Sequence, residues 1–368
     1  MFEGYLPHYA NLLRSEDVAY YLLCKDVDLD WSDDADLEDL WKTHTRGETL
    51  FKEKLDSISS PREILKNVKP KSAERTFLGL KNEIVNRLLK DCIFCENRCR
   101  SDRTKTTGKC GITEVSHVNS AFLHRGEESP LVPSGTIFFT GCTFDCVFCQ
   151  NWDISMVGKG KYKEKKRLRP YGSKRSGNPV SPADLANYAD RLEERGARNI
   201  NYVGGDPTPN LHTIIASMKY QQNNICQLWN SNFYNTTESL RLLREVMDFW
   251  LPDFKYGNND CGKRYSGIKN YWDVITRNFN YIYDWGSREI IIRHLVMPGH
   301  YECCTKPILE WIAKNIPEAV VNIMGQYRPE HLVNRSNYSE INRRVTRNEM
   351  AQAYALAEAL HIEYKLVS

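Results

Sequence analysis

The sequence predicts an α/β protein built on a partial, TIM-type (β/α)6 barrel, with a helical N-terminal extension and a small cysteine-rich metal segment. Three observations carry this. From residue 135 onward, short apolar runs that end at glycine or polar residues alternate with helical patterns. Residues 1–90 read as helical and polar. Seven of the twelve cysteines fall into two tight groups rather than being scattered. A chain of 368 residues has length for one large domain plus accessory segments. The expected boundaries are 1–90 for the extension, 91–130 for the cysteine-rich segment and 131–368 for the barrel.

Taken in order, residues 26–39 hold eight carboxylates and read as a solvated surface or helix-entry stretch. NEIVNRLLK, just before Cys92, has helical apolar spacing. GTIFFTG (135–141) reads as the first buried strand. Further strands are expected at 199–203, 225–229, 249–255, 289–297 and 320–324. Ser181-Pro182 opens a helix that Gly196 closes, Thr236 opens another to about Met247, and 347–360 is an alanine-rich helix. HIEYKLV (361–367) is expected as a closing strand. Six or seven βα units imply a parallel sheet with helical crossovers. In a barrel of this kind the chemistry sits at the carboxyl ends of the strands.

Composition excludes some functions. Fifty Lys+Arg against 47 Asp+Glu leave a net charge of +3, so the chain carries no global field for nucleic acid or membrane. No apolar run approaches the roughly 18 residues of a bilayer span. The first residues show neither a basic start nor an apolar core of a signal peptide. Twelve cysteines in a long chain of this type read as metal ligands or catalytic thiols, and place it in a reducing cytoplasm.

The most informative motif is GCTFDCVFCQNWDIS (141–155), directly after the first barrel strand. Cys142, Cys146 and Cys149 are spaced x3 and x2, with Phe148 before the last. Three thiolates can hold three irons of a cubane 4Fe–4S cluster and leave the fourth iron open, as an open coordination position separates catalytic from structural metals. The competing reading is a zinc completed by a distant fourth ligand. Strand, loop, spacing and aromatic together resemble the radical S-adenosylmethionine superfamily. That resemblance implies that the open iron chelates S-adenosylmethionine. Reductive cleavage of a C–S bond then yields methionine and a 5′-deoxyadenosyl radical that takes hydrogen from unactivated C–H bonds.

Other strand ends extend the likeness. Gly204-Gly205-Asp206-Pro207-Thr208 looks like the superfamily's Gly-Gly-Glu motif, with aspartate in place of glutamate. It implies contact with the methionine ammonium, although the same five residues alone read as a turn. Asn230 and Ser231, Asp253 and Lys255, and Arg293 end the next three strands. They resemble motifs of pyruvate formate-lyase activating enzymes and of the PflX-like iron–sulfur branch beside them. The resemblance covers about residues 90–335 and makes these residues, with Gln326 at the sixth strand end, candidates for cofactor contacts. The plain alternative for each is an ordinary polar strand end, and His294 reads equally as structural.

Cys92, Cys95, Cys99 and Cys110 could close a second iron–sulfur cluster or a structural zinc, or stay plain thiols. Residues 159–175 pack nine Lys/Arg against one Glu, with Tyr162 and Tyr171. They read as a solvated loop, a docking arm or a nucleic-acid arm.

The leading functional expectation is hydrogen abstraction from a residue of a protein or peptide substrate, as in activase-like modification. A flavodoxin- or ferredoxin-type electron donor would supply the reducing electron. A cobalamin-dependent C-methyltransferase is the first alternative: the extension leaves room for cobalamin, but no Asp-x-His-x-x-Gly pattern is present. A tRNA-modifying enzyme rests on the basic insertion alone. An electron carrier or sensor leaves the strand-end motifs unexplained.

Overall fold

The computed structural model describes residues 2–58, 65, 73–159, 177–333 and 337–367. Its strands are β1 (Ser116–His124), β2 (Ser134–Phe139), β3 (Asn178–Val180), β4 (Asn199–Gly204), β5 (Cys226–Ser231), β6 (Phe249–Pro252), β7 (Ile291–Leu295) and β8 (Val320–Met324). β2, β4, β5 and β6 pair in parallel and in chain order, as do β7 and β8. Parallel bridges at Trp250–Ile290 and Asp253–Arg293 link β6 to β7. The result is six parallel strands in sequence order, the expected (β/α)6 arrangement of an open barrel. β5 and β6 are buried at every residue, as strands covered on both faces should be.

Two elements depart from expectation. β1 was not legible in the sequence: it runs antiparallel to β2 and carries the short edge strand β3 on its other side. The closing strand is absent. Residues 361–367 form turns, and one backbone bond, from Val321 N to Glu363 O (2.8 Å), ties them to β8. The apolar alternation of HIEYKLV seats side chains on the barrel without building a ladder.

The helices are α1 (Pro7–Leu13), α2 (Tyr20–Asp26), α3 (Leu37–Asp56), α4 (Phe77–Leu88), α5 (Trp152–Ser155), α6 (Pro182–Glu194), α7 (Leu211–Ser217), α8 (Thr237–Leu243), α9 (Asn259–Ser266), α10 (Tyr271–Asp284), α11 (Lys306–Asn315) and α12 (Arg347–Ala359). The expected caps are present. Ser181 and Asp184 form a reciprocal capping box at α6 and Thr236 caps α8; a second box, Thr346 with Glu349 at α12, was not anticipated from the sequence. α8 ends at Leu243, four residues short of the expected stop.

The acidic stretch supplies Asp36 as the cap of α3, and most of its residues are exposed. One continuous apolar cluster runs from Leu6 to Ile362, so the N-terminal extension shares the barrel's core. Buried polar contacts fix it there. His8 meets both Asp17 (2.8 Å) and Asp248 (3.1 Å), and Lys81 meets Glu245 at 2.6 Å. The basic insertion, apart from Lys159, lies outside the described residues.

Candidate functional site

The cysteine loop leaves β2 through Gly141, whose φ of +85° and contact with Ile112 exclude a side chain. The loop then docks on the carboxyl end of α9: Asp145 N donates to Ser266 O (3.0 Å) and Val147 N to Tyr265 O (2.9 Å). Each sulfur has a polar neighbour. Cys146 Sγ lies 2.9 Å from Ser266 Oγ, Cys149 Sγ 3.5 Å from Ser155 Oγ, and Cys142 Sγ 3.7 Å from Asn232 Nδ2. Burial pushes all three thiols up, Cys146 to about 12. Such thiols ionise only against a strong positive charge, which a coordinated metal supplies. Lys159, buried, brings its ammonium to Phe144 O (2.5 Å) and Asp145 Oδ1 (2.8 Å) inside the same loop.

The Gly204–Gly205 pair follows β4 directly. A Cβ on Gly204 would overlap the backbone of Phe139, and one on Gly205 the carbonyl of Gly141. The close approach these glycines permit is thus to the protein's own backbone at the end of β2. Asp206 is buried against the cysteine loop, with Oδ2 accepting from Thr143 Oγ1 at 3.0 Å. Its Oδ1 is buried without a hydrogen-bond partner. Burial pushes this carboxyl up to about 6, against the pull of the Thr143 and Thr208 hydroxyls. At the end of β5, Asn230 Nδ2 is likewise buried and unpartnered. Ser231 Oγ is spent on the backbone N–H of Phe233 (3.1 Å). Asn232, which the sequence reading did not select, donates to Thr143 Oγ1 (2.7 Å) and so links β5 to the cysteine loop.

Asp253 and Lys255 form an ion pair with each other just past β6. The attraction of Asp253, Cys146 and Cys142 outweighs burial and holds Lys255 above its usual value. Arg293 is placed differently from expectation. Its guanidinium is clamped by Glu127 and Glu128, with two 2.7 Å bonds to Glu128, and reaches Asn230 Oδ1 only at 3.5 Å. Protein carboxylates thus take up the charge that was expected to face a cofactor carboxylate, and Arg293 anchors the segment between β1 and β2. Gln326 is exposed, and its backbone carbonyl accepts from Gln150 beside Cys149 (3.4 Å). Phe148 packs on Tyr327, ring centres 5.6 Å apart. His294 is structural: its ring bonds Phe254 O (2.8 Å) and Thr305 Oγ1 (2.9 Å).

The second cysteine group lies beside the first. A Cβ on Gly108 would stand 3.2 Å from Cys110 Sγ and 3.5 Å from Cys99 Sγ. Cys95 bridges to Asn235 after β5, and Asn97 Nδ2 donates to Thr143 O (2.8 Å). Both groups therefore stand at the carboxyl ends of the strands. Among the described residues, the only three His, Cys, Asp or Glu ligand atoms lying within 4.8 Å of one another belong to Cys261, His300 and Cys303. The sulfurs of each expected group are spread more widely than ligands of one tetrahedral ion, about 3.8 Å apart at a Zn–S bond of about 2.3 Å.

The family profile described as the radical SAM superfamily matches residues 136–312, from β2 to α11. The chain belongs to the radical SAM superfamily. An uncharacterized protein of Methanocaldococcus jannaschii, MJ0674, is 42% identical over 361 residues, 97% of this chain and 98% of that one. Solved structures to which the chain is similar match at low identity. QueE of Escherichia coli is 13% identical, with 68% of this chain and 92% of that chain covered and a TM-score of 0.41. A radical SAM methyltransferase of Sphaerobacter thermophilus is 12% identical, with 63% and 65% covered and a TM-score of 0.44. SuiB of Streptococcus suis, bound to its precursor peptide SuiA, is 13% identical, with 61% and 45% covered and a TM-score of 0.41. In that peptide-bound structure the match spans under half of the SuiB chain.

Membership implies a 4Fe–4S cluster and S-adenosylmethionine, and the residues at the strand ends fit both. Three buried thiols on one loop lack any protein cation strong enough to ionise them. Beside them stand a lone buried acceptor, Asp206 Oδ1, and a lone buried donor, Asn230 Nδ2. Those are complements to an ammonium and a carboxylate. No helix among the described residues is long and apolar enough to cross a membrane.

Proposed function

We propose that this radical SAM protein is an enzyme that abstracts hydrogen from a residue of a protein or peptide substrate. The observation that carries its catalytic half is the juxtaposition of the three-thiol loop with the unpartnered Asp206 Oδ1 and Asn230 Nδ2. Cys142, Cys146 and Cys149 would hold a 4Fe–4S cluster. Asp206 would receive the methionine ammonium of S-adenosylmethionine and Asn230 its carboxylate. The cluster and S-adenosylmethionine together supply a 5′-deoxyadenosyl radical that takes hydrogen from carbon. Thr143 and Asn232 orient Asp206 and the loop through their hydrogen bonds. The Lys255 ammonium, held by Asp253, lies beside the loop sulfurs and offsets the negative charge of the thiolates. Arg293 fixes Glu127 and Glu128 and, at 3.5 Å from Asn230 Oδ1, would orient Asn230.

The wide spread of Cys92, Cys95, Cys99 and Cys110 supports a second iron–sulfur cluster over zinc in that segment. The activase-like strand-end motifs, and a barrel mouth that its parallel strands leave open, support a peptide as substrate. All twelve cysteines are free, which suits a reducing cytoplasm and a flavodoxin- or ferredoxin-type donor.

The test is anaerobic turnover with S-adenosylmethionine, a strong reductant and peptide fractions from a cell extract in deuterated solvent. 5′-Deoxyadenosine should form, and a peptide should gain or lose mass at one carbon. 5′-Deoxyadenosine that forms only with RNA fractions, or a corrinoid that copurifies with the protein, would replace the peptide-abstraction reading.

A further inference from the structure

The sequence reading left Cys261, Cys303 and Cys304 unassigned, and no expected site includes His300. The fold brings all four together. Cys261 sits in the first turn of α9, positioned by the cap residue Asn258, whose Oδ1 accepts from Cys261 N at 2.8 Å. His300 ends the loop after β7, and Cys303 and Cys304 follow in a widened, π-type turn over Tyr301–Thr305. Turns of that kind are rare and gather at functional sites. Asn258 Nδ2 also donates to Cys303 O (2.8 Å), so one side chain holds both segments. Gly257 closes the seam: a Cβ there would stand 2.6 Å from Cys303 O and 2.8 Å from Cys304 Cα.

The ligand atoms of Cys261, His300 and Cys303 lie within 4.8 Å of one another. Cys304 lies beside the group, its sulfur 3.8 Å from that of Cys303. That distance matches the sulfur–sulfur edge of a tetrahedral site with Zn–S bonds of about 2.3 Å. The imidazole is arranged as metal-bound histidines are. Its Nδ1 lies 2.7 Å from Pro298 O, an acceptor only, so Nδ1 carries the proton and Nε2 keeps a lone pair, which in the metal-free chain meets the Tyr265 hydroxyl at 3.0 Å and which a metal would take over. His300 is buried, whereas Cys303 is exposed and gives an ion a way in from solvent. Soft thiolates with one imidazole select zinc among the common divalent ions.

We infer that Cys261, His300 and Cys303, with Cys304 beside them, form a zinc site, separate from the cysteine loop, that staples the start of α9 to the turn after β7. α9 is the helix on whose far end the cysteine loop rests. The inference does not depend on the reaction proposed above.

The test uses the full chain, purified anaerobically with its clusters, and measures zinc and iron per chain. Wild-type protein should carry zinc, and Cys303→Ser and His300→Gln should each lose about one zinc while iron stays constant. Zinc X-ray absorption on the wild type should show sulfur at about 2.3 Å together with one nitrogen at about 2.0 Å. Because Cys303 is exposed, its serine variant should keep the wild-type circular dichroism. Three outcomes would each overturn the inference: zinc-free wild-type protein, equal zinc in wild type and both variants, or a reductant-reversible two-dalton mass loss mapped to these cysteines.

Discussion

Asp206 and Thr143 are joined by a 3.0 Å hydrogen bond that ties the residue after β4 to the cysteine loop after β2. Two consecutive strand ends are thus held in register by one side-chain contact. The aspartate's other oxygen has no hydrogen-bond partner, so the same residue that locks the two loops together also presents a spare acceptor.

Asp206 makes the cofactor-free protein sensitive to pH. Burial raises its carboxyl to about 6, from an ordinary value of 3.8. Between those values the folded chain binds the proton that the unfolded chain releases, so stability falls as pH rises from about 4 to 6. Asp206→Asn should remove that slope and, at pH 7, stabilise the metal-free chain by about 3 kcal/mol. The same change should weaken S-adenosylmethionine binding at least tenfold. Urea titrations at several pH values and equilibrium dialysis read the two effects. Unchanged affinity in Asp206→Asn would remove Asp206 from the binding site.

His8 should give a slope of the same sign in a higher pH window. Burial alone would lower it, but hydrogen bonds and charge from Asp17 and Asp248 prevail and raise it from 6.5 to about 10. Its stabilisation is complete below pH 6.5 and is lost as pH rises through 10. Thermal midpoints of wild type should therefore drop between pH 7 and 10 more steeply than those of His8→Gln.

Lys81 and Glu245 are both fully buried and meet at 2.6 Å, with Lys81 also donating to Arg241 O at 2.8 Å. Lys81→Met leaves a carboxylate in the core, where Arg244 is its remaining cation. A loss of about 3–5 kcal/mol is expected. Lys81→Met combined with Glu245→Leu should recover much of it. A chemical-denaturation cycle over the four proteins measures the coupling.

The two cysteine groups should separate experimentally. Cys142→Ala should abolish 5′-deoxyadenosine formation. Cys92→Ser with Cys95→Ser should lower metal content and thermal stability and leave the other cluster detectable by electron paramagnetic resonance. Equal loss of both signals from either change would mean that the groups share one centre.

The barrel was legible because its parallel strands are buried on both faces and read as short apolar runs, as in Phe249–Leu251 and Leu228–Trp229. β1 was not, since SHVNSAFLH is half-exposed along most of its length and mixes polar with apolar residues. The three-cysteine loop announced itself through local spacing. The partners of Arg293 could not, because Glu127 and Glu128 lie about 165 residues away in the chain. The same holds for Cys261 and His300, which only the packing of α9 against the turn after β7 brings together. Asn232 carried a signal that went unused: it stands two residues after Asn230 at the same strand end.

The contact between Gly205 and the Gly141 carbonyl has a consequence for how this protein can change. A methyl group on residue 205 has nowhere to go unless the peptide that launches the cysteine loop gives way. The two loops therefore behave as a single rigid casting. Altered substrate preference must be engineered elsewhere around the rim, because any edit at this seam displaces the sulfurs themselves.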